Sequence, residues 1–303
     1  MARYAPLTVP LRGAYSLRVM AQREETSFEP PTELAFDVRA AAALLLDFLR
    51  RETRKAGYAR AVLGLSGGVD SAAAAALACR ALGPKNVLCV LLPYRDSSPA
   101  SLLDARRVTR LLRARSVLIG ITPMIDAYFA RDRRAPLLRR GNKMARERMA
   151  VLYDLSARER ALVVGTSNKT ELLLGYGTIF GDMASGLNPL GYLYKTQVRV
   201  LALHLGIPAD IVWKAPTADL WAGQTDEKEI GYPYADVDRL LVLLVEGRAR
   251  HREAIAAGFP PRMLARITRL ITSSQFKRRP PLIAKLSPRT IGVDFRYPRD
   301  WGR

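Results

Sequence analysis

The stretch Gly64-Leu65-Ser66-Gly67-Gly68-Val69-Asp70-Ser71 holds the densest chemistry in this chain. Two adjacent glycines let the backbone approach a ligand closely, with two hydroxyls and one carboxylate beside them. An apolar run at 61–65 precedes the stretch, and an alanine-rich segment at 72–82 follows it at once. Strand, glycine turn and helix N-terminus together hold phosphate, because first-turn amides and the helix dipole face the anion. Asp70, at the same mouth, suits a divalent cation bridging carboxylate and phosphate. The order of residues is neither the Walker loop nor the dinucleotide G-x-G-x-x-G.

The elements that must position this loop can be read from the apolar pattern. Helical spacing predicts an amphipathic helix over 33–55, through Leu34, Val38, Ala41, Leu45, Phe48 and Leu49. Strands are expected at 61–65, 87–92, 116–121 and 161–165. Helices are expected at 72–82, 100–113, 124–130 and 143–156, with a basic loop over 131–142. Apolar strands alternating with helices predict an α/β fold, a doubly wound parallel sheet flanked by helices. Ligands in such sheets bind beyond the carboxyl ends of the strands, so the loops after residues 65, 92, 121 and 165 are the informative ones. The expected organisation is an irregular arm over 1–31, one domain over 32–285 with a helical C-terminal part, and a tail over 286–303.

Bulk composition narrows the class. The 303 residues are 49% hydrophobic, enough for a packed core. No apolar run reaches about 18 residues, and the arginine- and proline-broken start lacks a signal-peptide core, so no membrane association is expected. Cys79 and Cys89 both fall in apolar segments and read as core residues of a cytoplasmic protein. They form no metal cluster with His204 and His251. The net charge of +20 suits polyanions, or else spreads over solvated faces. It concentrates at Arg131, Arg133, Arg134, Arg139, Arg140 and Lys143, and again at Lys277-Arg278-Arg279.

The Ser-Gly-Gly-x-Asp-Ser order after an apolar strand resembles the loop of ATP pyrophosphatases, which grips the pyrophosphate released when a substrate is joined to AMP. Further motifs follow in order. Gly141-Asn142-Lys143-Met144-Ala145-Arg146-Glu147-Arg148-Met149 is similar to the G-N-x-x-A-R-x-R-M of NAD synthetases, and Gly165-Thr166 through Glu171 to their G-T-x-x-x-x-E. Lys195-Thr196-Gln197, Pro216-Thr217-Ala218-Asp219-Leu220, the acidic Asp226-Glu227 segment with Tyr234 and Asp238, and Lys277-Arg278-Arg279-Pro280 complete the likeness over about residues 35–285. The resemblance is to the ammonia-dependent type within the adenine nucleotide alpha-hydrolase-like superfamily, and it implies that superfamily's Rossmann-like fold.

The resemblance implies a ligase. ATP adenylates the nicotinate carboxylate of deamido-NAD, and ammonia then displaces AMP to give NAD. It implies ATP as co-substrate, held by residues 64–71 with Thr166, Lys195 and Thr217, and Mg²⁺ on Asp70 and Glu171. Catalysis falls to Asp70, Glu171 and Lys195. Deamido-NAD falls to Arg146, Asp219, Phe276 and Lys277. It also implies a homodimer, with the long first helix or the helices after residue 161 able to supply the interface. No nucleic-acid partner is expected. Only about 31 residues precede the first helix and no thiol stands as a nucleophile, so free ammonia is the expected donor and a separate glutaminase subunit is not indicated.

Plainer roles compete for the same residues. Glu171 fits a capping box with the residues before it. Arg146 fits a solvated helix face, Thr217 a helix cap and Lys195 the surface. The chain also departs from the family pattern at Ile179, Gly186 and Phe276, all on the dinucleotide side. Two other readings follow from these features: a tRNA-modifying adenylase, favoured by charge, and a nucleotide-binding protein without catalysis, favoured by the departures.

Overall fold

The computed structural model describes residues 32–221, 223–279 and 281–290; the arm expected over 1–31 and most of the tail lie outside them. Four strands, β1 (Arg60–Gly64), β2 (Val87–Leu91), β3 (Arg115–Leu118) and β4 (Ala161–Val163), form one sheet in the order β3-β2-β1-β4. All pairs are parallel, with Leu63 opposite Cys89 and Val62 opposite Val163. The chain winds outward from β1 to β3 and then crosses back to place β4 on the other side of β1. The switch point therefore lies between β1 and β4, where a ligand crevice opens at the strands' carboxyl ends.

Both faces of the sheet are covered, as the apolar strands require. Helices α1 (Val38–Lys55) and α2 (Val69–Leu82) form one side. Then α3 (Pro99–Leu112), α4 (Thr122–Tyr128), α5 (Leu137–Glu159), α6 (Lys169–Leu174) and α7 (Lys195–His204) follow in order. One core joins Leu49, Leu63, Leu77 and Leu201 of α1, β1, α2 and α7. The opposite core joins Val62 and Val90 to Ile125 of α4 and to Leu152 and Leu155 of α5. Residues 72–78 of α2 are fully buried. An alanine-rich helix has the thin profile needed to lie between the sheet and two other helices.

The C-terminal part is helical: α8 (Ala209–Val212), α9 (Asp226–Ile230), α10 (Tyr234–Leu241), α11 (His251–Ala256) and α12 (Pro261–Ser273). Tyr234, Val237, Leu241 and Ile267 pack there into a third core, which Leu34 enters from the chain's other end.

Several boundaries differ from the sequence pattern, each for a local reason. The first helix begins at Val38, not near 33, because Asp37 caps it by accepting from the Arg39 and Ala40 amides at 2.9 and 3.0 Å. α2 begins three residues earlier than its alanines suggest. α5 begins at Leu137, inside the segment expected to be a basic loop. Gly141, within that expected loop, sits inside the helix, where a Cβ would come within 3.0 Å of Leu220 and 3.2 Å of Trp221. It is there for a close packing contact, not for a turn. β3 is shorter than expected and largely exposed, being the edge of the sheet.

Candidate active site

The loop after β1 is rigidly folded. Ser66 and Ser71 hydroxyls lie 3.0 Å apart, the Ser66 amide donates to Ser71 Oγ, and Ser71 Oγ donates to the Gly68 carbonyl at 3.0 Å. Gly67 has φ +87°, and a Cβ there would fall 2.2 Å from the Ser101 carbonyl oxygen of α3. Only glycine fits this position. Gly68 is the N-cap of α2 and gives it no side-chain cap, so first-turn amides remain available to an anion.

Asp70 sits in that first turn. Its Oδ1 accepts from Asn168 Nδ2 at 2.9 Å, and its Oδ2 accepts from Lys195 Nζ. Lys195 Nζ also donates to Glu171 Oε1 at 3.3 Å. Three residues from the loop after β1, the start of α6 and the start of α7 thus meet at one point. Glu171 is the capping-box acid that its sequence allowed. Its amide donates to Asn168 Oδ1 and its Oε2 accepts from the Asn168 amide, closing a capping box. Its other carboxylate oxygen faces Lys195.

Electrostatics at this point are crowded. Burial, with the Asp70 charge behind it, pushes the Glu171 carboxyl up to about 8 against the pull of Lys195. Burial lowers the Lys195 pKa, but Asp70 and Glu171 outweigh it and hold the ammonium above the usual lysine value. Asp226, on α9, adds a third carboxylate. It accepts from the Tyr176 and Tyr234 hydroxyls at 3.1 and 3.2 Å, and burial raises its pKa. The residues contain more negative charge than one ammonium balances.

These groups line a cleft of about 610 Å³. Residues 64–71, Thr166, Glu171, Lys195, Thr217, Asp219 and Lys277 all border it. Thr166 borders it with no hydrogen bond of its own described. Thr217 Oγ1 accepts from the Asp219 amide at 3.0 Å, which folds the loop after α8. Asp219 has φ +50°, and both its oxygens accept from the Ser98 amide before α3. Lys214 donates to Asp104 Oδ2 at 2.7 Å, pinning the same loop to α3 a second time. Lys277 donates to the Gly175 and Gly177 carbonyls, both at 2.8 Å.

Arg146 and Phe276 do not border the cleft. Arg146 Nε donates to the Ile179 carbonyl at 3.2 Å. Phe276 is exposed and shares a separate, mostly apolar hollow of about 370 Å³ with Ile179 and Phe180. Two of the three departures from the family pattern are thus neighbours in space. The third, Gly186, lies apart against β4, where a Cβ would meet Leu162 at 2.6 Å. Arg148 is the basic residue of its helix that does border the cleft. Its Nε donates to the Leu92 carbonyl at 3.0 Å, and burial lowers its pKa while Asp219 and Asp182 oppose the shift. Reading the sequence missed Arg148 and Asp226 as site residues, although both stand inside the quoted motifs.

Comparison with known proteins gives the family and the fold. The NAD synthase family profile matches residues 41–281. The NH(3)-dependent NAD(+) synthetase of Trichlorobacter lovleyi is 53% identical over 272 residues, which is 90% of this chain and 100% of that one. Among solved structures, the NMN synthetase of Francisella tularensis is similar with a TM-score of 0.75 at 32% identity. The NH3-dependent NAD synthetase of Campylobacter jejuni has a TM-score of 0.71 at 34% identity. Each covers 83% of this chain and 100% of its own.

Proposed function

This chain belongs to the NAD synthase family, and we propose on that premise that it is an ammonia-dependent NAD synthetase. The observation that carries the reading is the meeting of Asp70, Glu171 and Lys195 beside an uncapped helix N-terminus at the switch point of the sheet. The substrates are ATP, deamido-NAD and ammonia, all but the last strongly anionic. Part of the +20 charge is thereby accounted for.

In the first step a carboxylate oxygen of deamido-NAD attacks the α-phosphorus of ATP, and the bond to the bridging oxygen of pyrophosphate breaks. The amides of α2, with Ser66 and Ser71, hold the departing phosphates. Lys195 keeps a charged ammonium at the same place, since its carboxylate partners maintain its proton. Such fixed donors stabilise charge that develops in the transition state. In the second step ammonia attacks the acyl carbon, the bond to AMP breaks and one proton is lost. Arg148 and Lys277 border the cleft and would meet the anionic dinucleotide.

The residues fit a Mg²⁺ ion. Two hard carboxylates converge, and burial, with the Asp70 charge second, pushes Glu171 toward protonation when no cation is there. No group of three or more such ligands occurs among the described residues. Water and phosphate oxygens would complete the shell, as this ion prefers. Asp70 and Glu171 would hold it, and it would supply charge neutralisation at the leaving pyrophosphate.

A homodimer is part of the same reading. Leu118, Met124, Tyr128, Leu137 and Tyr153, on β3, α4 and α5, are large exposed apolar residues able to serve an interface. Leu44 on the long first helix, which the sequence also puts forward, is exposed as well. Light scattering should give twice 33.6 kDa; the monomer mass at assay concentration rejects the dimer. A cytoplasmic location suits both thiols, which are buried and pushed up to about 11 for Cys79 and about 12 for Cys89.

Product analysis by mass spectrometry tests the function. Protein with ATP, Mg²⁺, ammonium and deamido-NAD should give NAD, AMP and pyrophosphate in equal amounts, and glutamine should not replace ammonium. Absence of AMP with deamido-NAD present overturns the reading.

A further inference from the structure

Asp238 lies on α10 and does not border the cleft. Its side chain is fully buried, yet no ion pair to it occurs among the described residues. Three donors converge on it instead. Thr170 Oγ1 donates to Oδ1 at 2.5 Å. The Thr196 amide and Thr196 Oγ1 both donate to Oδ2 at 2.8 Å. Thr170 Oγ1 in turn accepts from the Lys195 amide at 3.0 Å.

Sequence position gives this cluster its meaning. Lys195 and Thr196 are the first two residues of α7, and their amides have no partner within the helix. The N-cap, Tyr194, carries no side-chain acceptor for them. Asp238 and Thr170 accept these two amides from neighbouring helices, and the carboxylate charge faces the positive end of the α7 dipole. Thr170 is also the residue before Glu171, in the first turn of α6. One carboxylate therefore ties the start of α6 to the start of α7, and each start contributes one member of the Asp70–Lys195–Glu171 cluster.

We propose that Asp238 is a positioning residue, which caps α7 from α10 and fixes the Lys195 ammonium against the Glu171 carboxylate. This inference rests on reading the cleft as an adenylating site. Its signature is a loss of rate with little loss of substrate binding, because misplacing a charge by about 1 Å costs roughly 100-fold in rate.

The test compares three variants of the full chain. Asp238→Asn keeps the volume but turns an amide donor toward one set of donors. It should lower kcat and the ATP–pyrophosphate exchange rate together by about 30- to 100-fold, with KM for deamido-NAD within about three-fold. Thr170→Val removes one donor at constant size and should give the same pattern at about five- to ten-fold. Leu241→Ala, in the apolar core of the same helix, should keep kcat within about three-fold at a matched loss of Tm. A kcat within two-fold of wild type in Asp238→Asn overturns the proposal. So does an equal loss of kcat in Leu241→Ala, or an effect confined to KM. If Asp238→Asn does not fold, Thr170→Val decides by the same criteria. A wild-type protein that forms no NAD defeats the reading of the cleft; an active wild type with an indifferent Asp238→Asn defeats this inference alone.

Discussion

Asp70→Ala and Glu171→Ala should each lower the ATP–pyrophosphate exchange rate by at least about 1000-fold, because these carboxylates orient the Lys195 ammonium and would hold the Mg²⁺ that neutralises the departing pyrophosphate. Asp70→Ala removes more than a charge: Asn168 Nδ2 loses its acceptor, and Lys195 keeps only Glu171 of its two carboxylates. Exchange within ten-fold of wild type in either variant would show that these carboxylates hold nothing the reaction needs. Glu171 offers a second readout in the nucleotide-free protein. Its folded carboxyl keeps a proton up to about pH 8, whereas the unfolded one releases it near 4.5. Between those values the folded state binds more protons, so stability falls as pH rises from about 5 to 8. Glu171→Gln should flatten that slope in Tm. An unchanged slope would mean that the proton resides elsewhere.

Gly67→Ala should abolish measurable ATP binding and lower Tm by several degrees. A left-handed backbone costs a non-glycine residue about 1–2 kcal/mol by itself. The added methyl also has no room, since it would lie 2.2 Å from the Ser101 carbonyl oxygen. Backbone cannot swing aside as a flexible side chain can, so the loop must lift from α3. Gly68→Ala is the comparison. Its φ is −88°, and its Cβ would meet only Ser66 Oγ at 3.5 Å. That variant should hold its Tm within about two degrees. Calorimetric ATP titration and thermal scans of both variants separate the outcomes, and equal behaviour would refute the steric account.

The loop was legible in the sequence because its signal is local. Strand, glycines and helix adjoin one another from Arg60 to Leu82, and each constrains the next. The parallel sheet was legible for a similar reason: apolar strands buried on both faces have a simple pattern. Arg148, Asp226 and Asp238 were not legible as working residues. Their surroundings come from distant segments, as when Asp226 meets Tyr176 across 50 residues. The start of α5 reads in sequence as a basic loop because what packs on Gly141, Leu220 and Trp221, comes from a distant segment. Ile179, Gly186 and Phe276 read as departures on one side of the site, whereas the folded chain puts only Ile179 and Phe276 together, in a separate apolar hollow. The capping box read for Glu171 is present, and it uses one carboxylate oxygen while the other faces Lys195.

The closure of the Asp70, Asn168 and Lys195 contacts bears on how the centre comes into being. The chain separations are 98 residues for Asp70 with Asn168, 125 for Asp70 with Lys195, and 68 for Thr170 with Asp238. Each doubling of the closed loop adds only about 0.6 kcal/mol of entropy, so the distance along the chain is tolerated once packing holds α2, α6 and α7 together. A chain holding only β1, the phosphate loop and α2 would keep the phosphate grip and lack Asn168, Glu171 and Lys195. The charge cluster therefore reports on the packing of three helices at once, whereas the loop reports on one.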